Sequence, residues 1–541
     1  MEPAHVARNT AQHVLAIDLG TSGPKVGVVA VSGKVLGSAF RPVHSFEVEG
    51  GGYEQDPEAV WRAVVEAAQE ALHQSGVARD SVTAVICDSH FFSIVCLGHD
   101  GKHAMNLIVW LDRRGTRDNL QRAKGYRPDS LWRQLQWFRI HGIPPIPSGM
   151  DNLAKLRWVK LFRPEVYEKT RAFLEPTDYL NYRLTGRVAA NACTIFPMQV
   201  TDNRDPARIA YAPSLLRWSG IDADKFPELL PMDATVGPLL PDVAATLGLA
   251  PGTQVLTGVN DTHAGAFGCG SFQGTHAGMV LGNSGVMVTH APRKKTDIRT
   301  GLFTLPSPLP DRYLVTGECG VAGRALEHFL EYIIFTEDAF GALCAEFPYK
   351  RLEEVVAASP PGSNGVLFLP WMSGAHMPAM DGDMRGGFLN VSLNTRRPDL
   401  ARAVLEGIIF QYRHMGEAGK KFTGRDFTHY TLYGGGAFSD TWSQTMADAL
   451  QLPIHRMAHP RLTNCIGLGM LAFHHLGHIS LDDIAQSVAI GRVFQPNPAL
   501  RALYDDRHAA MTLAFKQNRR LFRLLNRAPH PAAQPAPALD E

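Results

Sequence analysis

The sequence has no excess of charge of either sign: 53 Lys and Arg face 52 Asp and Glu, for a net charge of +1. No basic tract is dense enough to follow a nucleic-acid backbone, so nucleic acid is not expected as a partner. Cysteine is scarce, scattered and odd in number, seven in 541 residues with no C-x-x-C. That excludes a disulfide framework or a paired-thiolate zinc site and fits reduced thiols. Long apolar runs are missing too. No run approaches a membrane span, and the first dozen residues, MEPAHVARNTAQ, lack the apolar core of a secretory signal. The expected location is cytoplasmic, with no membrane partner. What is present, 45% apolar and 19% charged residues, is an ordinary globular composition. The length exceeds what one hydrophobic core usually supports, so two large domains are expected.

The apolar pattern resolves into elements. His13 to Asp18 reads as a buried strand, followed by a glycine turn, a strand from Val26 to Val31, and a third from Val35 into Phe40. Asp56-Pro57 opens a helix through about His73, with aspartate as cap and proline at the first position. Ser81 to Cys87 and Ile94 to Leu97 are short apolar strands. Residues 115–255 are less regular and are expected to wrap the first core as an insertion, with helices at Leu153 to Phe162 and Pro176 to Leu184. The strand–glycine turn–strand unit then recurs as Ala277 to Leu281 and Val286 to His290. A helix from Asp399 to Gly416, a strand from Tyr430 to Tyr433 and a helix from about Thr441 to Leu450 follow. The repetition predicts two similar α/β domains facing each other. Both ends, above all the Pro/Ala-rich RAPHPAAQPAPALDE, cannot bury apolar surface and are expected to be disordered.

Three glycine-rich turns and two aspartates carry the chemistry. Asp18 ends a buried-looking strand just before Gly20, where a carboxylate can hold Mg²⁺ while Gly20 to Gly23 let backbone amides approach phosphate. Thr21 and Ser22 add hydroxyls, and Lys25 supplies positive charge if it turns inward. Taken alone, the segment reads more readily as an ordinary hairpin with a surface turn, because glycine turns are common. Gly282, Asn283 and Ser284 repeat the arrangement, so that two turns facing a cleft would clamp a polyphosphate such as ATP. Gly434, Gly435 and Gly436, running on to Ser439, join a strand to a helix and allow close backbone approach to a ligand. Thr441 with Gln444 reads as a capping box for that helix. As a dinucleotide fingerprint the segment fails, because Ser439 stands where the third glycine belongs.

Asp261 lies among small residues, Gly258, Ala264, Gly265, Ala266 and Gly268, which leave room for a substrate hydroxyl. Its carboxylate could accept that proton as a phosphoryl group arrives, or serve as the N-cap of the next helix, or both. Asp112 and Arg114 offer an acceptor and a planar donor for sugar hydroxyls, with a buried ion pair as the competing account. His90, His263, His376, His474 and His475 lack ligand spacing with acidic partners and read as core or surface histidines.

On these motifs the chain resembles the FGGY carbohydrate kinases, two-domain ATP-dependent sugar kinases of the ribonuclease-H-like superfamily. The resemblance runs in order from about residue 13 to 525. It takes in Asp18 to Lys25, whose G-T-S-x-x-K form leans toward xylulose kinases, then Gly52 to Glu58 and Trp110-x-Asp112-x-Arg114. Lys155 to Val159, Asp178 to Gly186, Gly386 to Gly407, Gly434 to Asp448 and Gly467 to Ala472 complete it. It implies two ribonuclease-H-like domains with an interdomain catalytic cleft, a sugar-binding domain over 13–257 and a nucleotide-binding domain over 258–525, with tails at 1–12 and 526–541. It further implies Asp261 as base, Asp18 as the Mg²⁺ residue, and a sugar or polyol bound by Asp88, His90, Phe91, Phe92, Trp110, Asp112, Arg114 and Asp261. A homodimer stays open.

The chain departs from the xylulose-kinase pattern where a sugar-contacting G-Q-M-H-G is replaced by Ser89 to Ser93, which puts Phe92 at the histidine position. Gly374 to Pro378 and Asn390 depart as well. The expected substrate class is a ketopentose or related polyol rather than D-xylulose itself. A non-catalytic ATP-binding sugar sensor or assembly protein would keep the glycine turns and lose a carboxylate, yet both Asp18 and Asp261 are present. A nicotinamide dehydrogenase would need an early G-x-G-x-x-G, which is missing.

Overall fold

In the first half, a six-stranded sheet runs in the order Thr235–Pro238, Gln254–Leu256, Val82–Ser89, His13–Gly20, Gly23–Ala30, Val35–Phe40. This is a computed structural model, which describes residues 12–334 and 349–526. Apart from Gln12 and Asn526, the ends expected to be disordered lie outside the described residues. The three N-terminal strands form an antiparallel meander, and Val82–Ser89 lies parallel to His13–Gly20 on its other side. Val14 to Ile17 are all buried, so both faces of the sheet are covered. On one face, Leu15, Ile17, Val26 and Val28 pack against the helix Pro57–Ser75. Asp56 caps that helix by accepting the Glu58 N–H, with proline in its first turn as the sequence predicts.

The second half repeats the plan. Ala277–Leu281, Ser284–Ala291 and Tyr313–Val321 form the antiparallel meander, and Tyr430–Tyr433 runs parallel to the first of them, followed by a parallel Ile454–Met457. The long helix covering this sheet spans Arg397–Thr423, beyond the expected Asp399 to Gly416. Pro398 is tolerated in a first turn, and Asp399 Oδ2 accepts the Arg396 N–H at 2.9 Å, so the helix starts before the proline. Residues 115–255 do more than wrap the first core. They build their own core around Trp137, Leu156, Trp158 and Phe173, and their last strands return to complete the first sheet.

The two halves share a third core. Helix Thr463–His475, late in the chain, lies on the free face of the first sheet against Val14, Ala16 and Val29, and on Ala264 and Phe267 of helix Asp261–Gly268. Glycines make that crossing possible. A Cβ on Gly467 would stand 1.9 Å from the Ala264 carbonyl oxygen, and one on Gly268 would stand 2.0 Å from that of Thr463. Backbone meets backbone there.

Candidate active site

Strand register assembles the site's first charges. Asp18 pairs with Lys25 across the hairpin and with Asp88 across the parallel strand. Register partners present their side chains to one face. Lys25 does turn inward: its Nζ lies 2.9 Å from Asp18 Oδ2, and Asp18 raises the lysine pKa well above the usual range. Asn464, in the first turn of the crossing helix, brings its Nδ2 to 3.4 Å from Asp18 Oδ1. Gly23, at φ +132°, would carry a Cβ only 1.9 Å from the Arg41 carbonyl oxygen, so the turn requires glycine. Gly20 closes the strand ahead of it. Thr21 Oγ1 accepts from Trp110 Nε1 at 3.0 Å, which ties this loop to the segment that carries Asp112 and Arg114, while Ser22 is exposed at the tip.

Asp88 is completely buried, and neither carboxylate oxygen accepts a hydrogen bond from an N–H or hydroxyl donor among the described residues. Burial first, then Asp18 and Asp261, push its pKa far above the carboxylate range. Asp261 opens helix Asp261–Gly268, but it is not the cap. Asn260 takes that place, its Oδ1 accepting the His263 N–H at 3.2 Å and the Thr262 hydroxyl at 2.6 Å. The helix begins one residue after the cap, which leaves the Asp261 carboxylate for other work. Its Oδ1 is buried without a partner among the described residues. Burial and the Asp18 carboxylate push its pKa up to about 7, against the opposing pull of the Thr262 N–H and Lys25. A base poised there is matched to neutral pH. Three carboxylates therefore converge beside one ammonium. The unpartnered oxygens of Asp88 and Asp261 beside Asp18 are hard donors, which fit Mg²⁺ better than a softer metal.

The glycine turns of the second half lie side by side, because Val280 and Tyr433 are register partners on parallel strands. Gly282, Asn283 and Ser284 form the hairpin tip, where the backbone N–H groups of Ala322 and Arg324 donate to the Asn283 carbonyl. Gly434, at φ +95°, would set a Cβ 2.8 Å from the Leu281 carbonyl oxygen, and Gly436 would meet the Leu281 side chain at 2.6 Å; Gly435 is open. Ser439, rather than Thr441, caps helix Asp440–Leu450 by accepting the Trp442 N–H at 3.1 Å. The capping box expected of Thr441 and Gln444 does not form, because the helix starts one residue earlier and Gln444 donates to Asp448 instead. Tyr433, the last residue before the triple glycine, has a buried hydroxyl without a partner among the described residues. A Cβ on Gly265 would stand 2.2 Å from that hydroxyl, so the strand Tyr430–Tyr433 abuts the helix that carries Asp261.

The loop from His90 to Ser93 follows directly from Asp88. His90 is buried and neutral, its pKa lowered to about 4 by burial and then by Lys155, with Nδ1 2.8 Å from Ser93 Oγ. Phe91 turns into the core to stack on Phe196. Phe92 adopts a left-handed φ of +62°, and its carbonyl accepts from Lys155 Nζ at 2.6 Å. That ammonium is fully buried, also bonds the Met150 carbonyl at 2.7 Å, and has its pKa pulled down to about 8 by burial. Glu175, bonded by the Ser93 N–H at 3.4 Å, braces the loop from its other side.

Asp112 and Arg114 form the buried ion pair: Asp112 Oδ2 accepts from Arg114 Nε at 2.9 Å and from the Tyr53 N–H at 3.0 Å. The guanidinium also reaches Glu54 at 2.8 Å and lies 4.1 Å from the Trp158 ring centroid. Their bonds are spent on bracing the strand Gly52–Gln55. Sequence reasoning passed over Asn464, Tyr433 and the roles of Lys155 and Glu175. A lysine at an apolar-stripe position, between Leu153 and Leu156, was the readable sign of Lys155.

Residues 13–268 match the N-terminal domain, and residues 277–476 the C-terminal domain, of the FGGY family of carbohydrate kinases. The chain belongs to that family. It is a carbohydrate kinase, a phosphotransferase acting on a sugar-type alcohol. A xylulose kinase of Staphylococcus epidermidis is 27% identical over 94% of this chain and 97% of its own length. A gluconokinase of Bacillus subtilis is 23% identical over 90% of this chain and 92% of its own. The solved xylulose kinase structure from Lactobacillus acidophilus has the same fold, with a TM-score of 0.81 and 22% identity, covering 95% of this chain and 100% of that one. Among the described residues, no helix is long and apolar enough to cross a membrane.

Proposed function

We propose that the protein transfers the γ-phosphoryl group of ATP to a terminal hydroxyl of a small sugar or polyol, most closely a ketopentose. The observation that carries this reading is the convergence of Asp18, Asp88 and Asp261 beside Lys25, where strand register meets a helix start. Asp261 takes the hydroxyl proton as the phosphoryl group arrives, and its carboxyl returns that proton to solvent after product leaves. Asp18 is the residue that would hold Mg²⁺, with Asp88 as the adjoining oxygen donor. A bound Mg²⁺ supplies charge neutralisation for the phosphate oxygens. Gly20, Thr21, Ser22 and Lys25 approach the transferred phosphate from one half. Gly282, Asn283, Ser284, Gly434, Gly435, Gly436 and Ser439 receive ATP from the other. His90, Phe92 and Trp110 line the sugar side, and Phe91, Asp112 and Arg114 hold its walls. Closure of the halves excludes water, which would otherwise waste ATP by hydrolysis.

The relatives include kinases named for xylulose and for gluconate, which supports the class and leaves the acceptor to experiment. A panel of pentuloses, hexuloses, aldonates and polyols, read by ADP release with Mg²⁺, tests the proposal. One ketopentose or related polyol should stand well above the rest. An aldonate as best acceptor, or ADP release independent of any acceptor, overturns it.

A further inference from the structure

A second cluster of chemistry-bearing residues lies away from the three aspartates, between the two longest helices of the second half. His414 and Glu417 are three residues apart on Arg397–Thr423 and so share one face of that helix. His508 faces them from the helix Arg501–Leu525. One donor atom from each of the three lies within 4.8 Å of the other two. The imidazole centroids stand 3.9 Å apart with the rings tilted by 45°.

Their present bonds leave donors unused. His508 is 8% exposed, and its Nε2 is buried without a partner among the described residues. Its Nδ1 lies 3.9 Å from Glu417 Oε1, too far for a hydrogen bond. His414 Nε2 meets the Thr512 hydroxyl only at 3.4 Å. Glu417 accepts Arg413 Nε on the same Oε1 at 3.2 Å, which leaves the second oxygen without a hydrogen-bond partner among the described residues. Arg413 itself is held elsewhere, by Asp505 and by the Ala449 carbonyl. Burial and neighbouring positive groups keep both imidazoles neutral, with pKa values lowered to about 3 for His414 and about 4 for His508. Neutral imidazole is the form that binds metal.

We infer that His414, Glu417 and His508 form a structural site for a borderline divalent cation such as Zn²⁺. Two imidazoles and one carboxylate are a donor set that Zn²⁺ accepts, with water as the remaining ligand at the exposed Glu417 side. Such an ion would fasten the last helix of the described chain onto the long helix that covers the second sheet. It takes no part in phosphoryl transfer.

The test uses the full-length chain, stripped with a chelator and titrated with Zn²⁺ alone by calorimetry. It is compared with His508→Gln, Glu417→Gln and the double variant His414→Gln/His508→Gln. Wild type should bind one Zn²⁺ in a saturable step. Each single variant should bind more than about tenfold more weakly, since losing even an outer-shell partner costs that much. The double variant should show no such step, and Zn²⁺ should raise Tm most in wild type and not in the double variant. Mg²⁺-dependent turnover, unchanged in each variant, confirms that it folds. If the double variant fails that check, exposed Glu417→Gln decides the matter. No saturable Zn²⁺ step in wild type, or an unaltered affinity in the folded variants, overturns the inference.

Discussion

Lys25 Nζ stands 2.9 Å from Asp18 Oδ2 because the hairpin register makes the two residues direct partners. A cation arriving at Asp18 therefore shares that carboxylate with an ammonium already in place. Asp88 and Asp261, which lack comparable partners among the described residues, offer the remaining oxygen donors.

Asp261→Asn should lower kcat by about 10²–10⁴-fold, the usual cost of losing a general base, with ATP affinity little changed. In wild type, kcat/KM for the sugar should fall about tenfold per pH unit below about 7, because the base must be ionised and its raised pKa keeps it protonated there. A pH–rate profile and an ATP titration check both. A flat profile between pH 5 and 8 would remove Asp261 from the proton-transfer step.

Asp18→Asn keeps shape but loses the charge a hard cation favours, so the Mg²⁺ concentration needed for half-maximal rate should rise. The same change removes the anion that helps to raise Asp261, so the acid limb of the rate profile should move to lower pH. Mg²⁺ titrations at saturating sugar and ATP, repeated across pH, read both effects. An unchanged Mg²⁺ response would reduce Asp18 to a strand terminator.

Phe92→His should shift relative kcat/KM toward D-xylulose and leave the KM for ATP nearly unchanged. An apolar wall separates analogues by only about 1–3 kcal/mol per group, whereas a site built to hydrogen-bond a hydroxyl separates them far more sharply. The left-handed φ of +62° tolerates histidine, and the Lys155 bond to the residue-92 carbonyl survives the change. Acceptor-competition assays measure the ratio. Wild type already preferring D-xylulose across a broad panel defeats the idea.

Gly467→Ala places a methyl 1.9 Å from the Ala264 carbonyl oxygen. The helices must separate, at about 1–3 kcal/mol of overpacking, and turnover should fall because Asn464 and Asp261 ride on the two displaced helices. Urea unfolding and kcat together test this. Wild-type values for both would mean that the crossing is looser than its geometry.

The local elements were legible where one signal dominated. Asp56-Pro57 marked its helix start, and the recurring strand–glycine turn–strand unit marked both sheets. The Asp18 hairpin could be read as a phosphate site, but the inward turn of Lys25 depended on a register that composition does not reveal. Asn464 reaches Asp18 across 446 residues, and no local pattern encodes such a contact. The helix starts at Asn260 and Ser439 were each misplaced by a residue or two, because several adjacent polar side chains could cap and tertiary packing chose among them. Asp112 and Arg114 had two readings of equal standing. The bonds of Tyr53 and Glu54 to them, set by a strand 59 residues away in the case of Tyr53, decided for the ion pair.

Because main chain touches main chain where Gly467 crosses Ala264 and Gly268 crosses Thr463, those two helices cannot slide without one carbonyl climbing over the other's Cα. A motion of the halves that kept this contact would be a swing about it, as about an axle, and not a shear along it. Asp18, touched by Asn464, and Asp261, at the head of the partner helix, both sit beside the axle. A swing of that kind would leave their spacing unchanged. What such a swing would alter is the entry of water and substrate, while the two carboxylates stayed set.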